Sequence, residues 1–294
     1  MKEAFITKRF QQKTLDLIAQ ANSIIDSYLA QGFVLTLRQL YYQFVARDLM
    51  ENAKKSYEHL GRVVSDARLA GMIDWDAIED RGRFLRGLDY QASPENAVVE
   101  LRDAYRINPW DDQPYRPEVW VEKEALIGMI GSICDPFRVN YFACKGYNSQ
   151  SEQWRAGQRF DYYAALGQTP LVLHLGDHDP SGLDMTRDNQ ERLQMFAGFT
   201  VEVRRLALNF DQIERYRPPP NFAKESDTRF AEYAARYGMD SWELDALAPP
   251  VIRDLITSEI DGLIDHDRWA ASMAKEQAHR EELGLVADLL GEAR

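Results

Sequence analysis

The stretch from residue 171 to residue 184 restricts the possible folds more than any other part of the sequence, because a mostly apolar run ends there directly at a helix start. Residues 171–175 are predicted to form a buried strand, and Asp179-Pro180 to form an N-cap followed by proline at the first helical position. Asp177 and Asp179 then lie just beyond the carboxyl end of a strand, where open α/β sheets usually bind ligands. The pattern predicts an α/β fold with a divalent-metal site at the end of this strand.

Strands and helices alternate along the chain from residue 117 onward. Strands are predicted at 118–123, 137–144, 171–175 and 200–206, with helices at 124–130, 151–165 and 181–197 between them. Such alternation is typical of a mainly parallel sheet with helices on both faces.

The predicted sheet brings acidic residues together at the edge where its strands end. Glu122 lies at the end of the first strand, a glycine-bearing turn at 145–149 follows the second, and Asp177 and Asp179 follow the third. Three carboxylates form a hard, oxygen-rich site that suits Mg²⁺ or Mn²⁺. Each acid also has a simpler interpretation, in which Asp179 only caps a helix and Glu122 is a surface acid.

The first 90 residues show a different pattern, which predicts three helices followed by a basic wing. The helices are expected at 8–30, after Thr36, and at 52–69, and residues 72–78 are expected to form a strand. This layout predicts a winged helix-turn-helix whose third helix enters the DNA major groove. The DNA contacts would come from the third helix, the wing and the sheet edge: Lys54, Lys55, Arg62, Arg68, Arg81, Arg83 and Lys145. The alternative interpretation of these charges is a solvated helix face.

Arg38 and Tyr42 lie four residues apart on the predicted second helix and therefore share a face. A phenol loses its proton only near pH 10, and a neighbouring guanidinium can stabilise both the phenolate and an attacked phosphate. The alternative is that Tyr41 and Tyr42 are ordinary core residues of an amphipathic helix.

The overall net charge of −12 would normally count against nucleic-acid binding. However, residues 1–90 carry 13 Lys and Arg against 12 Asp and Glu, so the excess of acid lies downstream and two units with different tasks are indicated.

Cys134 and Cys144 have neither zinc-site nor disulfide spacing. The sequence contains no membrane-length apolar run and no signal-peptide pattern, so we expect a cytoplasmic, DNA-associated protein.

The order of these motifs resembles a known family. Val121-Glu-Lys123 at a strand end, a glycine turn and then Asp177-His-Asp-Pro-Ser-Gly182 resemble the Toprim domain of topoisomerases, bacterial primases and certain nucleases. Together with Leu37-Arg-Gln-Leu-Tyr-Tyr42 upstream, the chain looks like the A subunit of topoisomerase VI and the related meiotic double-strand-break transesterase. The resemblance covers most of residues 30–250 and includes Trp242-Glu-Leu-Asp-Ala-Leu247.

The resemblance implies an N-terminal winged-helix domain at 1–90, a linker at 91–116, and a Toprim domain with a C-terminal helical extension at 117–294. By residue-for-residue transfer, Tyr42 would attack a DNA phosphodiester with Arg38 beside it and become linked to a 5′ phosphate. The metal ligands would be the three acids at the strand ends, Glu122, Asp177 and Asp179, and Glu122 would also assist proton transfer.

The resemblance also implies partners. In the family, the tyrosine of one protomer meets the metal site of another, so a homodimer that cuts both strands of duplex DNA is expected. The implied enzyme class is a type IIB DNA topoisomerase, an isomerase that hydrolyses ATP. The chain has no GxxxxGK motif, so the ATP hydrolysis would need a separate B-type subunit. Asn148-Ser149 replaces the usual Pro-Asp of the family's turn. Two other functions stay open: a DNA-binding or DNA-bending protein without efficient cleavage, and a Toprim nuclease that uses only the metal site.

Overall fold

The computed structural model describes residues 2–79, 88 and 90–292. Its N-terminal unit is helical, as predicted. It comprises α1 (Gln12–Leu29), α2 (Leu37–Ala46) and α3 (Lys54–Leu69). The Thr36 hydroxyl accepts a hydrogen bond from the backbone N–H of Gln39, and Gln39 Oε1 accepts one from the backbone N–H of Thr36, which confirms the predicted helix start. The three helices bury a shared apolar core: Ile18, Ile25, Leu40, Phe44 and Leu60.

The strand predicted at 72–78 is wrong. The chain instead forms a 3₁₀ turn at Trp75–Ala77, and only Ile78 makes a strand-like bridge, with Leu35. The Asp74 carboxylate accepts a hydrogen bond from the Asp76 backbone N–H, which favours a tight turn over an extended chain. The expected wing residues Arg81 and Arg83 lie outside the described residues, so the winged form of this unit stays a prediction.

Residues 91–116, expected to link two domains, contain regular structure. Ser93 caps the helix α4 (Pro94–Ala104), and a 3₁₀ turn follows at Pro109–Asp112. The helix α4 packs along the C-terminal helix of the chain, at residues 266–292.

A four-stranded parallel sheet forms the centre of the second unit, as predicted. Its strands are β1 (Tyr115–Val121), β2 (Asn140–Ala143), β3 (Thr169–Leu175) and β4 (Glu202–Ala207), in the order β2-β1-β3-β4. Val121 pairs with Ala143 on one side and with Leu175 on the other, so the three strands end at the same level.

Helices cover both faces of this sheet, which confirms the predicted layering. They are α5 (Ile127–Cys134), α6 (Gln150–Ala165) and α7 (Pro180–Ala197). The helices α6 and α7 pack against each other and enclose Trp120 and Val172, which point to one face. Val119 and Leu173 point to the other face, where they join a core continuous with that of the N-terminal helices.

The remaining chain extends this unit toward the N-terminal helices. It consists of α8 (Phe210–Tyr216), a short antiparallel pair of strands, β5 (Asn221–Phe222) and β6 (Asp240–Ser241), with α9 (Phe230–Tyr237) between them in the chain, a 3₁₀ turn at Leu244–Ala246, α10 (Pro249–Asp261) and α11 (His266–Glu292). The 3₁₀ turn contacts α2. None of the described helices combines the length and the apolar character that a membrane crossing needs.

Candidate active site

The predicted acidic residues meet at the carboxyl edge of β1 and β3. The backbone N–H of Asp177 donates to Glu122 Oε2 at 2.9 Å, and the Glu122 backbone N–H donates to the Leu175 carbonyl at 2.8 Å. Asp179 Oδ1 accepts from the Gly182 backbone N–H at 2.6 Å, so this residue does cap α7. The sheet register thus brings Glu122 and Asp177 into contact, while the cap fixes Asp179 two residues after Asp177.

Gly182 allows the acidic loop to fold back on the first turn of α7. A Cβ atom at this position would lie 2.2 Å from the Asp177 carbonyl oxygen and 3.2 Å from Asp179 Oδ1. Because the nearest atom belongs to the backbone, a side chain could be accommodated only by moving the loop. Glycine is therefore required by close approach at this position.

The half-buried side chain of Arg205 holds the backbone of the acidic loop. Arg205 on β4 donates to the carbonyl oxygens of Gly176 at 2.9 Å, Asp177 at 2.6 Å and Gly182 at 2.9 Å. Burial lowers the pKa of the Arg205 guanidinium to about 10, so the group remains charged at neutral pH. Its charge lies under the acids without occupying their exposed oxygens.

His178, between the two aspartates, is fixed by aromatic neighbours. Its Nδ1 lies 3.0 Å from the Tyr233 hydroxyl, and its ring contacts Phe210, Tyr237 and Trp242. Burial lowers the pKa of His178 to about 4, so the ring is neutral near pH 7. The imidazole therefore anchors the loop to the segment that follows the sheet.

Burial opposes the ionisation of two of these acids, Glu122 and Asp177. Burial, with repulsion from Asp177, raises the pKa of Glu122 to about 7, and burial raises the pKa of Asp177 to about 6. In the described part of the chain, one oxygen of each of the three carboxylates accepts a hydrogen bond and the other accepts none.

The chemistry of these donors fits a hard cation such as Mg²⁺ or Mn²⁺. Carboxylate oxygens are the side-chain ligands that Mg²⁺ prefers, and a bound cation would favour the charged form of these acids, which burial disfavours. Among the residues that the structure describes, no three His, Cys, Asp or Glu side chains are already spaced to hold a metal ion. Metal binding here would require the carboxylates to converge.

A second pair of acids, which the sequence analysis did not single out, lies beside the first group. Lys123 Nζ is 3.0 Å from Asp177 Oδ1, 2.8 Å from Glu243 Oε2 and 2.8 Å from Asp245 Oδ1. The backbone N–H of Leu244 also donates to Asp177 Oδ1 at 2.8 Å. The turn at 243–245 is therefore bound directly to the acidic loop. Its only sequence signal was the Trp-Glu-Leu-Asp pattern within the family resemblance.

The same turn binds the helix that carries the candidate nucleophile. Arg38 forms ion pairs with Glu243 and, at 2.9 Å, with Asp245 Oδ2. The guanidinium carbon lies 5.9 Å from the centre of the Tyr42 ring. Burial raises the pKa of the Tyr42 hydroxyl to about 12, and the charges of Asp245 and Glu243 add to this effect. Tyr42 would therefore need a proton acceptor and a cation to react as a phenolate.

The two adjacent tyrosines have different roles in the fold. The Tyr41 hydroxyl accepts a hydrogen bond from the Ala53 backbone N–H at 2.9 Å and lies 3.0 Å from Asn52 Oδ1. It ties the loop between α2 and α3 to the second helix. Tyr42 faces Arg38 and the acidic turn instead.

One cavity of about 410 Å³ joins these groups within a single chain. Arg38, Tyr42 and Lys54 line it from the N-terminal helices, and Asp177, Asp179 and Glu243 line it from the second unit. The predicted Tyr42 and two of the predicted metal ligands thus border the same space.

The other residues expected to contact DNA are scattered. Lys55 and Arg62 are exposed on α3, whereas Arg68 packs on the Trp75 ring and donates to the Trp75 carbonyl. Lys145 pairs with Glu124 at 2.7 Å, at the sheet edge. Among the members of this group that the structure describes, only Lys54 lies at the cavity.

Comparisons of the chain with protein-family models, with curated proteins and with solved structures find no match.

Proposed function

We propose that this protein is a DNA-cleaving transesterase of the topoisomerase VI A type. The observation that supports the proposal best is the shared cavity, which has Tyr42 and Arg38 on one side and Asp177 and Asp179 on the other. A tyrosine nucleophile must reach a phosphate that is bound at the acidic site. A cavity bordered by both groups meets this geometric requirement within one chain, whereas the family resemblance implies that the tyrosine of one protomer meets the metal site of another.

In the proposed reaction, the Tyr42 phenol oxygen bonds to a DNA phosphorus atom while the bond from phosphorus to the 3′ oxygen breaks. The phenol proton leaves, the 3′ oxygen gains a proton, and the phosphodiester energy is retained in a 5′-phosphotyrosyl bond. Tyr41 is a poorer nucleophile because its hydroxyl is already engaged with Ala53 and Asn52.

Arg38 and Glu122 have complementary tasks in this proposal. The Arg38 guanidinium, next to the Tyr42 ring, offsets the charge of a phenolate or of the attacked phosphate. Glu122, with a pKa of about 7, can accept or give up a proton at neutral pH. Glu122, Asp177 and Asp179 would hold Mg²⁺ or Mn²⁺. When bound, the ion supplies positive charge that stabilises the phosphate and the leaving 3′ oxygen.

The substrate in this proposal is duplex DNA, and the working form is a homodimer whose two sites cut opposite strands. Strand passage driven by ATP would require a separate ATPase subunit. Lys54, at the cavity, and Lys55 and Arg62, exposed on α3, would contact DNA phosphates. The protein would work in the cytoplasm in association with DNA.

The test is a covalent-trapping experiment. Labelled supercoiled DNA is incubated with the protein and Mg²⁺ or Mn²⁺, the reaction is stopped with denaturant, and nuclease digestion should leave a labelled nucleotide on Tyr42. We expect Tyr42→Phe and Asp177→Ala to abolish this label, and the matched control Tyr41→Phe to retain it.

Two results would contradict the proposal. Cleavage that survives Tyr42→Phe would indicate metal-dependent hydrolysis by a Toprim nuclease. DNA binding without any cleavage would indicate a DNA-binding or DNA-bending protein.

A further inference from the structure

The mouth of the cavity differs in chemistry from its floor. Phe222, on the strand β5, lines the cavity although 89% of its surface is exposed. Lys54 and Lys224 are also lining residues and are also exposed, and their exposure places them at the opening. The opening therefore carries one bare aromatic ring and two cations.

The strand β5, which carries Phe222, is held in place by hydrogen bonds on both sides of the ring. Asn52 Nδ2 donates to the Pro220 carbonyl and to Asn221 Oδ1, both at 2.9 Å. The Ala223 backbone N–H donates to the Met239 carbonyl at 2.9 Å, on the other side of Phe222. The backbone on both sides of the exposed ring is thus tied down, and the ring is presented on a fixed support.

The two lysines are available to a ligand. The Lys54 side chain is 90% exposed, and its nearest acidic partner is Glu58 at 3.9 Å. Lys224 forms no ion pair with any residue that the structure describes, and it follows Phe222 by two residues. An exposed ring that lines the same cavity as two exposed ammonium groups matches a ligand that combines a flat base with phosphates.

We propose that the cavity accepts a single nucleotide of the DNA, with its base turned out of the duplex and stacked on Phe222. The flanking phosphates would lie at Lys54 and Lys224, which leads the backbone toward Tyr42. This inference rests on the proposed function, and it adds a substrate preference: DNA that is already unpaired beside the cleavage point. Turning a base out of a duplex costs least where the base is mismatched or single-stranded.

The test measures binding, so that it does not depend on cleavage. The Tyr42→Phe protein is titrated with two fluorescently labelled duplexes of one sequence, fully paired or carrying one unpaired thymine. We expect the unpaired duplex to bind more tightly, and Phe222→Ala to weaken its binding about tenfold, which lies within the range measured for base–aromatic stacking. Phe222→Trp should retain tight binding because the indole also stacks.

Tyr162→Ala is the matched control, because it removes another exposed aromatic ring, on the helix α6, and should leave both affinities unchanged. Equal binding of the two duplexes, unaffected by Phe222→Ala, would overturn the nucleotide site while leaving the proposed function intact. Failure of the protein to bind either duplex would overturn both. Loss of binding in Phe222→Ala and in Tyr162→Ala alike would also overturn the site, because the effect would not be specific to Phe222.

Discussion

Lys123→Met should destabilise the protein strongly, because it removes the cation shared by three carboxylates. The ammonium group lies within 3.0 Å of oxygens of Asp177, Glu243 and Asp245. The Asp245 side chain is only 2% exposed, so its charge cannot be transferred to water when Lys123 is lost. Methionine fills a similar volume, so the change tests the charge more than the packing.

The expected loss follows from the burial of this network. Removing one partner of a buried ion pair costs about 3–5 kcal/mol. Arg38 would still pair with Asp245, and the Lys123 side chain is 18% exposed, so we expect a value at the lower end, about 3 kcal/mol. The measurement is urea unfolding followed by circular dichroism, with the free energy of unfolding extrapolated to water.

Lys145→Met is the matched control. Lys145 pairs with Glu124 at 2.7 Å, but both side chains are 63% exposed, so this pair should contribute less than about 1 kcal/mol. Similar losses in the two variants would refute the argument, because the effect would then not arise from buried charge.

The pH dependence provides a second check on the Lys123 argument. Burial already raises the pKa of Asp177 in the folded protein to about 6, and without Lys123 this pKa should rise further above its value in the unfolded chain. The folded state of the variant then binds more protons than the unfolded state, so its stability increases as the pH falls. The difference between wild type and variant should be smaller at pH 5 than at pH 7. A difference that does not change with pH would contradict this explanation.

Three further predictions concern the acidic loop and the second helix. Gly182→Ala should lower the free energy of unfolding by about 3 kcal/mol, because the new Cβ meets the Asp177 carbonyl oxygen. The control is Gly284→Ala within α11, where the nearest atom to the new Cβ would be 3.8 Å away, and it should raise the free energy of unfolding by about 0.5–1 kcal/mol. Thr36→Ala should cost about 1 kcal/mol, measured by thermal unfolding against wild type, because the capping hydroxyl of α2 is lost. Mg²⁺ affinity, measured by titration calorimetry, should rise between pH 5.5 and pH 7.5 and level off above that, because Glu122 and Asp177 bind the ion only when deprotonated and have pKa values of about 7 and about 6. An affinity independent of pH would argue against these ligands.

Features that depend on neighbouring residues could be predicted from the sequence. The caps of α2 and α7 each require one side chain and one backbone N–H three residues later, so Thr36 and Asp179 were recognisable. Residues 119–121 of β1 and 171–173 of β3 are apolar runs, and the strand ends that follow them indicated the place of Glu122 and Asp177. Because β1 and β3 are parallel and end at the same level, Glu122 and Asp177 meet at one edge of the sheet.

Features that depend on distant residues could not be predicted in this way. The helix α4 has no fully buried residue, and it is supported by α11, which lies far along the chain. Glu243 and Asp245 look like ordinary surface acids until the fold places Lys123 and Arg38 beside them. The turn at 75–77 was missed because alternating apolar residues suggested a strand, while the local hydrogen bond of Asp74 decided the conformation.

The ion pair between Arg38 and Asp245 also has a consequence for the biosynthesis of the protein. Its partners are roughly 200 residues apart in the chain, and a contact of such long range forms only after the intervening segment is available to close the loop. During translation, the helix with Tyr42 emerges from the ribosome long before the turn at 243–245. A nascent chain therefore presents the tyrosine without the groups that surround it in the folded chain, and Arg38 and Tyr42 meet the acidic turn only after residues 243–245 have been synthesised.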